Sequence, residues 1–575
     1  MNPSKHIRPF LFFLLLYSFL FSDLPAQVLP TGQPLLEEWL RRRQLTGEFD
    51  PAYSFQLRPL TLPGQEKGFF PGDWETFAAI RKPRRGKRHR PEEMEWQWLP
   101  FQYQIRWANK RPYGYGDGAA VPAVGWQSHR SAGIEARYKF LYLVFQPELV
   151  FAQNKAFHGF RPDSRDAVNS ARYYYWNYGN IPERFEGGNY WRLLPGRSKI
   201  TAQSGSLEFG FSTQSLWWGP GQFNGLIFSN NAAGFPHFTF NSLRPLHTFM
   251  GSFEFQMISG WLSPYRGSFS QVPTLNDGYQ SALPNRPKYL NGMTFSYQPK
   301  WVPGLHLGVN RVFQVFNHTM GASFADIFPV FTGITKASTD LLEQEQSGQF
   351  TGGRDQQISV FARYMVPAVQ AEIYAEYGRR DHALNWREFA MNPEHARAFL
   401  MGFQKLVPLD KQGTSVQVRA EMAQQQESIN RIIRYGSGYG ASWAMHGRAR
   451  GFTQKGQALG MGIGTGNNHQ LIEVSLVDQF NKWGILLERM VNNQDFYYRA
   501  GFPQRNIAPW VDMSLGFLWD QRWDRLLMQS KLQMIQAHNY QWESRFDAPQ
   551  DFPSAVRRFS LLVQFNFIYL WEGKD

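Results

Sequence analysis

The chain has 575 residues, contains no cysteine and has a formal net charge of +14. Without cysteine it has no disulfide framework, no thiolate nucleophile and no cysteine-ligated metal site. Aromatic residues make up 16% of the chain, yet its mean hydropathy is only −0.44. A membrane barrel that places apolar residues on alternate strand positions has such a composition.

Residues 1–26 are typical of a secretory signal peptide. Lys5 and Arg8 give a basic start, an apolar run extends to Phe21, and Ala26 offers a small-residue cleavage site. The run is too short for a stable membrane span, so an uncleaved anchor is the weaker alternative. After Ala26 no stretch reaches the roughly 18 apolar residues that a membrane helix needs. We therefore expect an exported protein.

Residues 27–98 are expected to form a short periplasmic segment packed under a barrel that spans residues 99–575. Pro34 to Leu45 are predicted to be an amphipathic helix, because proline suits the first helical position and apolar residues recur at helical spacing. A second helix is predicted to begin near Asp73.

The tract RKPRRGKRHR, from Arg81 to Arg90, is strongly basic. Such a tract is either solvated and disordered or in contact with lipid phosphates at a membrane face. No nucleic-acid recognition motif accompanies it, so nucleic acid is not an expected partner.

From Trp98 onward, short segments alternate apolar and polar residues, as in Ala371 to Glu376. A soluble sandwich and a membrane barrel both produce this period of two, and alternation alone does not distinguish them. The last segment favours the barrel, because one face carries only large apolar residues and a soluble edge of that kind would aggregate. These are Phe559, Leu561, Val563, Phe565, Phe567, Tyr569 and Trp571. We predict an all-β, antiparallel transmembrane barrel of about 18 strands.

Residues 207–262 contain two strictly alternating strands bridged by a long segment rich in glycine, proline, asparagine and aromatic residues. Its most distinctive part is WWGPG, which begins at Trp217. Two wall strands joined by so much irregular chain are typical of a functional loop.

The sequence resembles the Wzi family of outer-membrane capsule assembly proteins, in its Bacteroidetes form. The most specific block is STQSLWWGPG…SNNAAGFP, from Ser212 to Pro236. The other matching blocks are SFQLRPL (Ser54 to Leu60), PYGYGDGA (Pro112 to Ala119), QPELVFAQN (Gln146 to Asn154), AEYGRRDH (Ala375 to His382), NPEHARAFLMGFQK (Asn392 to Lys405) and RGFTQKGQALGMGIGTGNN (Arg450 to Asn468).

The resemblance implies an eighteen-stranded outer-membrane barrel with an N-terminal helical part. It also implies a lectin-like, non-catalytic role in holding capsular polysaccharide or exopolysaccharide at the cell surface. The other expected partner is outer-membrane lipid, and we expect a monomer without a cofactor or metal.

The predicted polysaccharide-binding residues are Trp217, Trp218, Asn230, Asn231 and Arg244. Sugar rings pack on aromatic faces, and sugar hydroxyls need planar polar partners such as asparagine and arginine. The alternative is that the tryptophans belong to an interfacial girdle and the Gly-Pro pair is a turn.

The sequence is also compatible with two other functions. A porin would have the same wall, and an outer-membrane hydrolase acting on lipid or glycan is a third hypothesis. The pairs Asp381-His382 and Glu394-His395 lack a nucleophile motif and are better interpreted as loop residues. The glycine-rich stretch Gly456 to Gly466 is not followed by a predicted helix, which argues against a phosphate-binding loop.

Overall fold

The structure, a computed structural model, describes residues 26–29, 31–32, 34–63, 94–162, 164–281, 286–335, 354–381, 385–410, 413–428, 442–545 and 554–571. The predicted signal peptide, the helix near Asp73 and the basic tract Arg81 to Arg90 lie outside the described residues. The predicted barrel is confirmed: eighteen antiparallel strands close into a ring in which the last strand pairs with the first.

Most strands are continuous, but the third, fourth and sixth are each interrupted into two segments. The barrel strands are β1 Glu95–Ala108, β2 Gly125–Tyr138, β3 Leu141–Phe145 with Glu148–Ala152, β4 Tyr190–Leu194 with Lys199–Ser204, β5 Leu207–Ser212, β6 His237–Ser242 with Leu246–His247, β7 Gly251–Leu262, β8 Lys288–Pro299, β9 Leu305–Phe316, β10 Asp355–Val366, β11 Ala371–Arg380, β12 Arg397–Pro408, β13 Ser415–Gln424, β14 Asn468–Asp478, β15 Asn481–Val491, β16 Val511–Trp523, β17 Leu526–His538 and β18 Arg558–Tyr569.

The alternation in the sequence separates the two faces of the wall. On β11, Ile373 is 61% exposed on the outside, whereas Glu372 and Glu376 are buried in the lumen. On β18, Phe559 and Tyr569 are exposed on the outer face, as predicted. The wall therefore presents apolar side chains outward and polar side chains inward, which is the arrangement of a barrel in a membrane.

The two ends of the barrel differ in their connections. Short turns join β2 to β3, β8 to β9 and β14 to β15 at the end where β1 begins and β18 finishes. Long connections join the strands at the opposite end, such as residues 153–189 and 425–467. Because outer-membrane barrels have short periplasmic turns and longer extracellular loops, the long connections are extracellular.

Helix α1, Pro34–Leu45, forms as predicted, but the described part of its segment lies inside the barrel and not beneath it. Arg41 contacts Glu372 of the wall at 2.6 Å, and Glu38 contacts Lys482 of β15 at 2.9 Å. These ion pairs explain the position, because buried charges require partners and the inner wall supplies them. Strand β1 starts at Glu95, within the segment that the sequence assigned to the periplasm.

Packed side chains occupy the lumen at three levels. Leu36, Trp39 and Phe55 belong to a periplasmic cluster, and Trp218 belongs to a central one. An extracellular cluster includes Trp176 of α2, Asp166–Gly179, and is the largest of the three. The other helices longer than one 3₁₀ turn in the described part of the chain are α3 Pro273–Tyr279, α4 Phe324–Ile327, α5 Trp386–Met391 and α6 Gln494–Arg499. Among the described residues, none of the helices has the length and apolar character needed to cross a membrane.

Candidate functional site

Trp217 and Trp218 lie inside the barrel, where they form a small antiparallel sheet with Leu57 and Arg58. Trp218 is fully buried, and its indole N–H donates to Oε1 of Gln256 on β7 at 2.9 Å. The structure therefore gives Trp218 no exposed ring face on which a sugar could stack. Trp217 is 7% exposed, and the Arg58 guanidinium lies 4.6 Å from its ring centroid.

The turn that follows the tryptophans is fixed to the wall by one carboxylate. Glu421 of β13 accepts hydrogen bonds from the backbone N–H groups of Gln222 and Asn224, each at 2.8 Å, and from that of Phe223 at 3.2 Å. The Tyr374 hydroxyl donates to the same carboxylate at 2.9 Å. Because the turn satisfies a buried charge, the WWGPG motif has a structural role in joining the inner segments to the wall. We call the described segments that fold into the lumen, residues 34–63, 213–236 and 442–467, the plug.

Asn230 and Asn231 join separate loops within the lumen. Asn230 Nδ2 donates to the Gly116 carbonyl at 2.9 Å, and Asn231 Oδ1 accepts from the Gly116 N–H at 3.1 Å. On its other side, Asn231 Nδ2 donates to the Ala458 carbonyl at 3.0 Å. A Cβ added to Gly462 would lie 1.7 Å from Asn231 Oδ1, which explains the glycine there. Three of the sequence blocks that resemble the family thus meet at these two asparagines.

Arg244 lies apart from the other four predicted residues. Its Nε donates at 2.8 Å to the hydroxyl of Ser206, which belongs to the short periplasmic turn between β4 and β5. The structure therefore does not bring the five predicted residues together as one site. Their binding of polysaccharide stays a prediction.

Trp217 and Asn230 do share a chamber of about 220 Å³ between the plug and the wall. Its lining is rich in charges, including the Glu37–Arg58 pair, whose Oε2 and Nε atoms are 3.1 Å apart. Burial raises the pKa of Glu37 against the lowering effect of Arg58, and burial lowers the pKa of Arg58 to about 10 despite the nearby Glu37. Within the described ranges, no group of three or more His, Asp and Glu residues is placed to hold a metal ion.

The extracellular end is covered by α2. Its buried side packs Tyr173 and Trp176 into the extracellular cluster. Its half-buried side presents Tyr174 and Tyr178, one helical turn apart, with ring centroids separated by 4.7 Å.

Two arginines from distant loops stack on these tyrosines. The Arg499 guanidinium lies 3.6 Å from the Tyr174 ring centroid, and that of Arg450 lies 4.4 Å from the Tyr178 centroid. We call these four residues the Tyr-Arg ladder. Its tyrosines could have been noticed in the run YYYWNY, but the arginines are hundreds of residues away in sequence and gave no signal.

The extracellular loops expose more basic than acidic residues. Their described, exposed basic residues, outside the connections between β9 and β10 and between β11 and β12, are Lys110, Lys155, Arg165, Arg266, Arg286, Arg448, Arg505 and Arg557, whereas the corresponding acidic residues are Asp166, Glu186 and Asp277. The described surface around the ladder is therefore basic.

The acid-base pairs considered from the sequence form no catalytic arrangement among the described residues. Asp381 lies 3.8 Å from His395 and 3.9 Å from His446, which are distances of weak contacts. Glu394 pairs instead with Arg397 at 3.2 Å. His382 lies outside the described residues.

Comparison with known proteins identifies the family. The sequence profile described as "Capsule assembly protein Wzi" matches residues 128–476. The barrel resembles the Escherichia coli outer-membrane protein Wzi, described as a carbohydrate-binding β-barrel involved in group 1 capsule assembly, with 12% identity, coverage of 95% of this chain and 100% of that chain, and a TM-score of 0.55.

Two other barrels are less similar. For Acinetobacter baumannii OccAB2 the identity is 10%, the coverage 83% of this chain and 98% of that one, and the TM-score 0.38. For Pseudomonas aeruginosa OccD3 the corresponding values are 9%, 86%, 97% and 0.37. No curated protein sequence matches the chain. The profile covers more than half of the chain, and the chain belongs to the Wzi family of outer-membrane capsule assembly proteins.

Proposed function

We propose that this protein binds capsular polysaccharide or exopolysaccharide at the extracellular face of the outer membrane, without catalysis, and so supports capsule assembly. Family membership and the carbohydrate binding described for Escherichia coli Wzi support the proposal. The observation that carries it is the filled lumen: three clusters of packed side chains occupy it from the periplasmic to the extracellular end. With the lumen occupied, we place the binding surface at the extracellular end and not in a channel.

The Tyr-Arg ladder is the proposed sugar contact. Tyrosine rings offer apolar faces and edges to the C–H groups of a sugar, and the arginine N–H groups are donors for its hydroxyls or carboxylates. Packing of α2 into the extracellular cluster holds these side chains in place before the ligand arrives, which reduces the entropic cost of binding. The basic surroundings favour a polymer that carries negative charge.

A porin is the weaker alternative. Diffusion of solutes requires a continuous aqueous path, whereas in the described structure α1 and residues 213–236 occupy the lumen and bond to the wall. The remaining parts of the proposal are that the protein acts as a monomer and that its outer wall contacts outer-membrane lipid. The wall supports the latter, since Val360 and Leu487 are both more than half exposed on its outer face.

The proposal is tested with a Tyr174→Ala/Tyr178→Ala variant. An aromatic contact is worth roughly 0.5–1.5 kcal/mol beyond its burial, so each lost ring should weaken binding about three- to tenfold. Binding of purified exopolysaccharide from the source strain to the detergent-solubilised protein is measured, with Tyr364→Ala on the lipid face as the matched control. Both variants should show the heat-modifiable gel migration of a folded barrel. Wild-type affinity in the folded double variant would refute the ladder as the sugar contact.

A further inference from the structure

Two neighbouring extracellular connections fold back over the outside of the barrel wall. They are residues 320–335, between β9 and β10, and residues 385–396, between β11 and β12. We call them together the skirt. Their contacts are made with wall side chains that point away from the lumen, which distinguishes them from the loops that form the plug.

The first part of the skirt is fastened by Arg311. Arg311 follows Asn310, whose side chain bonds Glu376 inside the lumen at 3.1 Å, so Arg311 points outward. Its guanidinium donates to the carbonyls of Val330, Thr332 and Gly333, at 3.0, 2.6 and 2.7 Å respectively. Arg311, which is 7% exposed, thus satisfies the backbone carbonyls of a loop that lies on the outer wall.

The second part is fastened in the same way. Tyr377 and Arg379 alternate with inward-facing residues of β11, so both point outward. The Tyr377 hydroxyl donates to the Pro393 carbonyl. Arg379 donates to the Phe389 carbonyl at 2.9 Å, and its guanidinium lies 4.9 Å from the Phe389 ring centroid. Two independent loops therefore use outward-facing polar wall residues to satisfy their carbonyl groups.

This arrangement fits a lipid environment. A loop in water needs no wall donors, because water satisfies its carbonyls, whereas irregular backbone beside hydrocarbon must find partners within the protein. The exposed side of the skirt is mainly apolar: Phe324 is 67% exposed, Phe331 57% and Trp386 58%. Its exposed, described charged residue is Arg387, next to Trp386. Phe324 and Phe331 also stack on each other, with centroids 6.2 Å apart.

Elsewhere around the barrel, the wall itself supplies outward aromatic residues near the extracellular end. Trp126 is 54% exposed beside Trp107, and Trp191 is 55% exposed against Phe151. On β9 the outward Phe313 is only 1% exposed, and Arg311, Arg379 and Arg397 take outward positions near that end of β9, β11 and β12. Arginine there cannot serve as the aromatic residue that anchors a barrel at the membrane interface.

We propose that the skirt enters the outer leaflet of the membrane and completes the aromatic girdle across β9 to β12, where it contacts lipid directly. Nearer the periplasmic end, the wall of the same strands also presents apolar side chains outward, at Val360 and Ile373, which are 55% and 61% exposed. A membrane lipid is thus the occupant that this surface fits. The inference rests on the outer-membrane location and is independent of polysaccharide binding.

The test uses the absence of cysteine from the natural chain. Single-cysteine variants Phe324→Cys and Trp386→Cys are labelled with an environment-sensitive fluorophore and reconstituted into phosphatidylcholine vesicles that contain nitroxide-labelled lipid. Ile373→Cys, on the lipid-facing wall, is the positive control. Asn506→Cys, on an exposed extracellular loop, is the negative control.

The skirt labels should lose fluorescence to lipid nitroxides to an extent close to that of Ile373→Cys, and should resist quenching by aqueous iodide. Lipid quenching as weak as that of Asn506→Cys, together with strong iodide quenching, would overturn the proposal. Protection from both quenchers that disappears when the protein-to-lipid ratio is lowered would also overturn it, because a second copy would then cover the skirt at high protein density. Two label sites keep the test decisive if one variant fails to fold.

Discussion

Replacing Trp218 with alanine distinguishes a structural role of the WWGPG motif in the lumen from direct binding of sugar. The side chain is 0% exposed, stacks edge-on against Phe228 at 4.7 Å, and lies so close to Gly292 of β8 that an added Cβ would be 3.0 Å from its ring. Removing a buried tryptophan costs about 3–5 kcal/mol. The Gln256 oxygen also loses its donor, which adds about 1–3 kcal/mol if no water replaces the indole.

This loss should fall on the plug and not on the wall, because the hydrogen bonds between wall strands do not involve Trp218. The variant should still migrate as a folded barrel, but its plug should open more often. We expect new ion-conducting events in planar lipid bilayers and faster trypsin cleavage after Arg41, which is 2% exposed and donates to the Pro220 carbonyl of the motif in the intact plug. Trp191→Ala, at an outer-wall position, is the matched control and should conduct no more than the natural protein.

The opposite result would support direct binding of sugar by Trp218. If Trp218→Ala leaves conductance and trypsin resistance unchanged but abolishes polysaccharide binding, the structural explanation is refuted. The sequence-based prediction that Trp218 binds polysaccharide would then stand, and the Tyr-Arg ladder would no longer be the favoured sugar contact.

Two further substitutions test the plug and the wall. Gly462→Ala should weaken the plug by about 1–3 kcal/mol because the new methyl group overlaps Asn231, and its trypsin resistance should fall. Gly447→Ala, with no atom within 4 Å of the new Cβ, is the control and should have no effect. Equal trypsin resistance of both variants would contradict the packing argument. Phe565→Arg should impair assembly by about 2–4 kcal/mol if the residue lies near the membrane midplane, whereas Asn566→Arg, at a position that lines the lumen, should be tolerated, as judged by yield in the outer-membrane fraction. Equal loss from both would contradict the assignment of the two faces.

The faces of the wall were predictable from the sequence because they depend on a local period. Glu372 and Ile373 are adjacent, and their opposite orientations follow from strand geometry alone. Helix α1 was predictable for the same reason, since its apolar spacing and first-turn proline are local signals. Its location was not, because the partners that hold Arg41 and Glu38 in the lumen lie hundreds of residues later in the chain.

Residues 213–236 show where local patterns fail. Glycine, proline and aromatic residues suit an exposed binding loop, and they suit equally a segment that must turn tightly inside a crowded lumen. What decides between the two is the set of distant contacts, such as Glu421 for the turn and Gly116 for Asn230. The ladder was missed for a related reason: Tyr174 is a visible signal only when Arg499 is known to lie over it.

The structure suggests why sequence resemblance to the family is strongest in the plug. Asn231 bonds to Ala458, and the same loop returns to the extracellular helix, where a Cβ on Gly451 would lie 1.8 Å from the carbonyl oxygen of Gly179 at the end of α2. Only a residue without a side chain allows that approach. The plug thus supports α2 from below and fixes the height and orientation of Tyr178. The residues that hold the platform for the proposed sugar contact are therefore constrained by packing.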